Sequence, residues 1–221
     1  MIKQLNIKNV GVDLNGETPE GYQHEDGLCF DENNVSWMIQ ENFDSLGEDI
    51  LNKFPNTKNI LDVGAGAGNL RRGLLKVNPD LLVVTLDGNK ETINSPLVNK
   101  NTHFVLRTDV EYELVDENDV ILKFDLICSF EHFEHIEPKF FDTFIDNIKR
   151  HSHKDTILIA TAANWKYNNS NVHCNVKNEK EWEEELTQKY GMKKTGEKIL
   201  NKENWSHRIK FCHELNYRIF K

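Results

Sequence analysis

Three glycines follow a short apolar run, and an aspartate stands just ahead of them, in the segment Asp62-Val63-Gly64-Ala65-Gly66-Ala67-Gly68. Because glycine lacks a Cβ, such a loop can turn sharply and bring its backbone close to a ligand. A dinucleotide-binding loop has glycines at relative positions one, three and six, whereas here they stand at one, three and five and Asn69 takes the sixth. The Asp62 carboxylate would repel a pyrophosphate and attract a cation. The loop therefore favours a nucleoside with a positively charged amino acid over NAD.

A second group of chemically active side chains is the segment Glu131-His132-Phe133-Glu134-His135. If it is helical, Glu131, Glu134 and His135 stand at i, i+3 and i+4 and share a face. Together with His173 on a later loop, they would form a divalent-metal site of two carboxylates and two histidines. The same residues could instead line a substrate pocket without a metal, and this alternative stays open.

The histidines of this region are also candidates for acid–base chemistry. Imidazole is the natural general base near neutral pH when the acceptor of a reaction is a hydroxyl. We rank the candidates in the order His135, His132 and His173. The alternative for each of them is a role in structure alone.

The elements that must position these residues alternate between strands and helices. Apolar runs predict strands at 59–63, 81–86, 103–106, 124–129 and 156–162, and helical periodicity predicts helices at 36–54, 70–76, 138–150 and 179–190. This alternation implies a parallel sheet with helices on both faces. The tail at 208–219 has a period of two, which favours an antiparallel strand near one edge. Ligands of such sheets bind beyond the carboxyl ends of the strands.

Composition and charge limit the classes of protein to consider. The chain has 221 residues, 38% of them hydrophobic, which favours a single domain over 1–221. We expect a core at 55–221 and an N-terminal extension with a helix at 1–54, whose Trp37 and Gln40 would close over a ligand as a lid. The net charge of −9 argues against nucleic acid as a partner, because proteins that bind nucleic acid usually carry a basic field.

The sequence contains two kinds of evidence on cellular location, namely targeting signals and the spacing of its cysteines. No apolar run approaches the ~20 residues that a membrane span needs, and the N-terminal residues lack the apolar segment of a secretion signal. Cys29, Cys128, Cys174 and Cys212 form no CxxC pair, which argues against a zinc ribbon or a disulfide scaffold. We therefore expect a cytoplasmic protein without a membrane partner.

The glycine loop resembles motif I of the class I methyltransferases that use S-adenosylmethionine (SAM). Two acidic residues extend the resemblance. Asp87 ends the second strand, where the family binds both ribose hydroxyls, and Asp109 resembles the acid that caps the adenine amine after the third strand. The segment 124–136 is similar to the family's fourth-strand motif, which ends in "LEHI" or "LEHL".

The resemblance implies a doubly wound α/β, Rossmann-like fold with a mostly parallel seven-stranded sheet and an antiparallel C-terminal strand. It implies SAM as the cofactor. The residues that would hold it are Asp62, Gly64, Gly66, Gly68, Asp87, Asp109, Phe130 and Glu131. Small-RNA terminal 2′-O-methyltransferases and quinone-pathway O-methyltransferases place similar sets around a divalent ion, here Glu131, Glu134, His135 and His173. Other relatives carry the same signature without a metal.

The expected function is transfer of a methyl group from SAM to an oxygen or nitrogen of a small-molecule or carbohydrate acceptor. The segment 164–170, with Trp165 and Tyr167, opens where the fifth strand ends and suits a polar ring. Three alternatives stay open. They are a metal-assisted RNA 2′-O-methyltransferase, an NAD-dependent dehydrogenase or epimerase, which the glycine spacing opposes, and a non-catalytic SAM-binding module.

Overall fold

Strands and helices of the computed structural model are described for residues 5–8, 42–166, 173–200 and 212–220. The strands are β1 (Asn6–Lys8), β2 (Asn59–Val63), β3 (Leu82–Asp87), β4 (His103–Val105), β5 (Glu113–Val115), β6 (Phe124–Ser129), β7 (Ser152–Ala163), β8 (Lys193–Lys194) and β9 (Cys212–Arg218). The helices are α1 (Asn42–Lys53), α2 (Asn69–Val77), α3 (Phe141–Arg150) and α4 (Glu179–Glu184), which continues as a π-helix over Glu185–Lys189. Short 3-10 segments cover Lys90–Asn94, Phe133–His135 and Pro138–Phe140.

A seven-stranded sheet carries the fold, in the order β4-β3-β2-β6-β7-β9-β8. β2 pairs in parallel with β3 and with β6, and β9 runs antiparallel to both of its neighbours. The chain moves outward from β2 to β4 and then places β6 on the other side of β2, which creates a switch point at the carboxyl ends of β2 and β6. The predicted mostly parallel sheet with an antiparallel C-terminal strand is confirmed.

Apolar layers cover both faces of this sheet. On one face, α1 and α2 bury Leu46 and Leu74 against it. On the other face, α3 and α4 bury Phe144 and Trp182. Because helices occupy both faces, the fold leaves the carboxyl edge of the sheet for a ligand.

α1 and α2 cross at two glycines. A Cβ on Gly47 would lie 2.5 Å from the backbone nitrogen of Leu74, and a Cβ on Gly73 would lie 2.9 Å from Cα of Asp44. The two backbones therefore touch without side chains between them. An ion pair of 2.8 Å between Arg72 and Asp44 adds to the crossing. The ion pair holds α1 against α2, the helix that follows the glycine loop.

Two expectations differ in detail from the structure, and a third lies partly outside the described residues. The helix predicted from residue 36 is described from Asn42 onward, so its start and the lid residues Trp37 and Gln40 lie outside the described residues. β7 begins earlier than predicted, because Ser152 pairs with Phe124 of β6 ahead of an irregularity in the register. The segment after β6 forms a 3-10 turn over Phe133–His135 rather than an α-helix.

Short strands complete the fold. β1 pairs antiparallel with β5, with Ile7 opposite Leu114, and β8 adds two residues at the edge of the main sheet. None of the helices described above combines the length and apolar character needed to cross a bilayer.

Candidate active site

The glycine loop leaves the carboxyl end of β2 and turns into α2. Gly64, Gly66 and Gly68 have positive φ angles of 76°, 51° and 84°. The Gly64 amide donates to the Leu86 carbonyl oxygen over 2.9 Å, which ties the loop to β3. Two features exclude any side chain at Gly64: its positive φ angle, and the His132 ring, whose Cδ2 would lie 2.6 Å from a Cβ at this position. The loop thus places main-chain atoms at the switch point with no side chains in front of them.

Asp87 supports this loop from the neighbouring strand. Its Oδ2 accepts the Gly66 N–H over 2.7 Å, and its Oδ1 accepts the Asn89 N–H over 2.8 Å. Burial raises the pKa of Asp87, and these two hydrogen bonds oppose the rise. Each oxygen keeps a second lone pair that a ligand hydroxyl could use.

Asp62 is a buried carboxyl at the mouth of the loop. It is 2% exposed, and its Oδ2 accepts no hydrogen bond from the described residues. Burial, and then the charge of Asp87, raise the pKa of Asp62 to about 8. Since a buried charge without a partner is costly, this carboxyl fits a positively charged ligand group.

Asp109, in the loop after β4, is buried and already paired. Nε and Nη2 of Arg107 donate to its two oxygens over 2.7 and 2.5 Å. The Arg107 guanidinium lies 5.1 Å from the centre of the Phe140 ring. An adenine amine would therefore have to share the Asp109 carboxylate with this arginine.

Phe130 and Glu131 follow the carboxyl end of β6. The buried Phe130 ring meets Phe43 of α1 edge to face, with centroids 6.4 Å apart. Glu131 has a left-handed backbone with φ 51°, and its N–H donates to Oγ1 of Thr161 over 2.9 Å. A non-glycine residue in this region of φ costs about 1–3 kcal/mol and is held there by its surroundings.

Glu134, His135 and His173 come together beyond the carboxyl end of β6. One ligand atom from each lies within 4.8 Å of the others. Glu131, the other residue predicted to share a metal, is not a member of this group. One carboxylate and two imidazoles suit a divalent transition metal such as zinc, iron or manganese.

Contacts with the loop after β7 bring His173 to this place. The Asn175 N–H donates to the Glu134 carbonyl oxygen over 3.0 Å, and Sγ of Cys174 lies 3.7 Å from the same oxygen. Nδ1 of His173 lies 2.8 Å from the Trp165 carbonyl oxygen. A carbonyl can only accept, so Nδ1 carries the proton and Nε2 carries the lone pair of the neutral ring. This is the tautomer that binds a metal through Nε2.

Glu134 is the most deeply buried member of the group. It is 0% exposed, and neither carboxylate oxygen has a well-aligned hydrogen bond from the described residues, although the backbone N–H groups of Glu134 and Ala163 lie near enough to lower its pKa somewhat. Burial first, and the charge of Glu131 second, raise the pKa of Glu134 well above its usual range. A cation held with His135 and His173 would remove this unfavourable burial, so the residues present fit a divalent ion.

His132 lies between the strand ends rather than in this group. Its ring nitrogens are each 3.1 Å from a hydroxyl oxygen, Nδ1 from Ser129 and Nε2 from Thr108. Burial lowers the pKa of His132 to about 4. Its candidacy as a general base stays a prediction.

A methyltransferase-domain family model matches residues 35–196 of the chain. The chain belongs to this family. It is a class I methyltransferase that uses SAM as its methyl donor. No curated protein matches the chain by sequence.

Solved structures share the methyltransferase fold. A SAM dependent methyltransferase from Aquifex aeolicus is 22% identical, with a TM-score of 0.54, over 86% of this chain and 99% of that one. The methyltransferase domain of bacterial CtHen1-CN is 17% identical, with a TM-score of 0.55, over 81% and 100%. The 1,6-didemethyltoxoflavin-N1-methyltransferase of Burkholderia thailandensis is 13% identical, with a TM-score of 0.57, over 84% and 81%. At these identities the likeness shows the fold alone.

Sequence reasoning missed the side chains that hold the site of this methyltransferase in place. Arg107, Thr108, Ser129 and Thr161 each contact a predicted site residue. Arg107 stands two residues before Asp109, so the sequence alone could have suggested an ion pair between them. The hydroxyls of Thr108 and Thr161 contact residues that are far away in the sequence, so no local pattern could reveal them.

Proposed function

We propose that this methyltransferase transfers the methyl group of SAM to an oxygen of a small-molecule or carbohydrate acceptor, beside a divalent ion held by Glu134, His135 and His173. One observation carries the proposal. One side-chain atom from each of these residues lies within 4.8 Å of the others, and Glu134 is a buried carboxylate that the backbone N–H groups of Glu134 and Ala163 approach without well-aligned hydrogen bonds. Transfer to a nitrogen, without an ion, is the other form of the expected reaction.

The cofactor would be held by the strand ends around the switch point. We assign the ammonium group of SAM to Asp62, whose buried Oδ2 lacks a partner, and the ribose hydroxyls to Asp87. The loop at 64–68 lets the backbone approach the cofactor, and Asp109 would face the adenine. The backbone at Phe130 and Glu131 would complete the site.

A divalent ion at this group would lower the pKa of a bound hydroxyl and fix the position of its oxygen. The chain itself then has little chemistry to add, because the sulfonium is already an activated leaving group. Its residues must align the acceptor with the methyl group and exclude water. In this proposal His135 and His173 are ligands, and their role as general bases is the alternative.

The surroundings of the group favour an uncharged acceptor with a ring. The Trp165 side chain is 39% exposed, and its ring lies 4.6 Å from that of His173, which offers a flat apolar surface. Arg107, Lys139 and Lys177, on the same side of the molecule, each pair with a carboxylate. Each of these three cations therefore already has an anionic partner, and the net charge of the chain is −9.

A metal-assisted RNA 2′-O-methyltransferase is the second candidate, because the same ion would serve a ribose hydroxyl. The paired cations and the net charge of −9 argue against it. Binding of RNA would weaken steeply with rising salt, whereas binding of an uncharged acceptor would not. A salt titration with both kinds of acceptor separates the two candidates.

The proposal has a direct test. A panel of hydroxylated small molecules and sugars, with formation of S-adenosylhomocysteine (SAH) as the readout, should identify an acceptor. Chelation or Glu134→Gln should abolish turnover, and Mn²⁺ should restore the chelated wild type. His153→Ala is the matched control, since His153 pairs with Asp125 at the amino edge of the sheet. Turnover that ignores chelation would overturn the metal, and a wild type that binds no SAH would overturn the cofactor site.

We also propose a lid and a location. The part of the N-terminal segment that carries Trp37 and Gln40 would close over the cofactor. It leads into α1, and the contact of Phe43 of α1 with Phe130 places the start of this helix beside the proposed cofactor site. Cys128 and Cys174 have free thiols, which supports a reducing, cytoplasmic location.

A further inference from the structure

One imidazole touches three strand ends of the cofactor site. Nδ1 of His132 lies 3.1 Å from Oγ of Ser129, the last residue of β6. Its Nε2 lies 3.1 Å from Oγ1 of Thr108, in the loop that follows β4 and carries Asp109. The ring also lies against the glycine loop that follows β2. His132 is therefore in contact with three of the four strand ends around the proposed site for the adenosine of SAM, the fourth being the end of β3 with Asp87.

The hydrogen-bond pattern assigns the protons of this junction. The Ser129 hydroxyl donates to the Val63 carbonyl oxygen over 2.9 Å. A hydroxyl has one hydrogen, so toward His132 the serine oxygen must accept, and Nδ1 must carry the proton. In the neutral ring Nε2 is then the acceptor, and the Thr108 hydroxyl is its donor. Both ring nitrogens are occupied.

The ring also determines which residue can occupy position 64. A Cβ on Gly64 would lie 2.6 Å from Cδ2 and 2.8 Å from Nδ1 of His132. On its other side the ring meets Phe144 of α3 edge to face, with centroids 5.5 Å apart. The imidazole is thus wedged between the core and the glycine loop, and a smaller side chain would leave a gap there.

We propose that His132 is a positioning residue that sets the distance between the glycine loop and the Asp109 loop, and thereby the affinity for SAM. It acts through Gly64 on one side and through Thr108 on the other. This inference rests on the cofactor site and not on the metal or the acceptor. It also means that His132 has no ring nitrogen left to accept a proton from an acceptor hydroxyl.

Thr108 offers a mild test of the proposal. Thr108→Val keeps the shape of the side chain but removes the hydroxyl that donates to His132, whereas Thr108→Ser keeps the hydroxyl. By calorimetry the valine variant should bind SAH about fivefold more weakly, the loss expected for one hydrogen bond, and the serine variant should bind like the wild type. His153→Ala, at the opposite edge of the sheet, should also bind normally.

A second variant separates positioning from catalysis. His132→Ala should raise the KM for SAM and weaken SAH binding about tenfold, since it loses two hydrogen bonds and the packing on the loop, while kcat changes far less. A folded alanine variant with unchanged SAH affinity overturns the proposal. So does a large loss of kcat with intact SAH affinity, which would mark a catalytic base. If the alanine variant does not fold, equal SAH affinity of the two Thr108 variants overturns it instead.

Discussion

The rings of His135 and His173 meet edge to face, with centroids 4.9 Å apart, although α3 and β7 separate the two residues along the chain. The hydrogen bond from the Asn175 amide to the Glu134 carbonyl oxygen folds the loop after β7 back onto the turn after β6. The segments that follow two neighbouring strands, β6 and β7, thus bring these two imidazoles to one place.

Removal of His173 should lower the affinity for a divalent ion. His173→Ala deletes one of the three proposed ligands, and we expect a loss of at least ~100-fold, because loss of a supporting contact alone costs roughly 10–100-fold. Calorimetric titration with Mn²⁺ measures the change, with His153→Ala as control. Equal Mn²⁺ affinity of the His173 variant and the wild type would contradict the assignment.

Cofactor binding should release a proton near neutral pH. The pKa of Asp62 is raised to about 8 by burial and by the charge of Asp87, so below that pH most free protein carries a protonated Asp62. The ammonium group of SAH favours the carboxylate, so the pKa falls on binding, and affinity should increase as pH rises from about 6 to 8. Calorimetry in buffers of different ionisation enthalpy counts the protons. Asp62→Asn should release none, and a wild type that also releases none would refute the contact.

Acid should destabilise the fold through His103. Its ring nitrogens lie 2.8 and 2.9 Å from the hydroxyls of Thr85 and Thr92, and burial, with the charge of Arg71, lowers its pKa to about 4. The unfolded chain binds a proton near pH 6.5, so the stabilisation is complete above that pH and is lost as pH falls toward 4.

Denaturant unfolding at two pH values measures this effect. Between about pH 7 and pH 5, wild type should lose about 2 kcal/mol more unfolding free energy than His103→Gln, which cannot titrate. Equal losses of unfolding free energy in the two proteins would show that protonation of His103 does not cause the acid destabilisation.

The crossing of α1 and α2 should not tolerate a side chain. In Gly73→Ala the new Cβ would lie 2.9 Å from Cα of Asp44, and backbone cannot move aside as a flexible side chain can. We expect a loss of about 1–3 kcal/mol in the free energy of unfolding. Gly88→Ala is the control, since its Cβ would lie 3.8 Å from the nearest atom. Equal stability of the two variants would show that the helices can separate freely.

Sequence patterns predicted the centre of the fold better than its margins. β2 and β6 have the predicted bounds, because strands buried on both faces read as unbroken apolar runs. β5 and β8 have three and two residues, too few for any periodicity, and exist only because a partner strand is present. Ser152 was not predicted to lie in a strand, because nothing in its own sequence indicates one. It belongs to β7 only through its pairing with Phe124 of β6.

The candidate site likewise has a part that the sequence predicted and a part that it could not. Asp62, Gly64 and Asp87 could be placed relative to one another because each stands at a strand end. The partners of other residues could not be predicted. Thr108 reaches His132, and Asn175 reaches Glu134, only after the chain has folded.

The left-handed backbone of Glu131 limits how stable this protein can be while it remains an enzyme. With φ 51° the residue is strained, and its charge raises the pKa of the buried Glu134. Glu131→Gly would relieve both effects, so thermal unfolding should occur at a higher temperature. Methyl transfer should weaken, because the freer glycine backbone would be held less firmly at the position proposed to contact SAM. A lower unfolding temperature for this variant would contradict the argument. Selection for heat resistance alone would therefore favour changes at Glu131 that trade catalysis for stability.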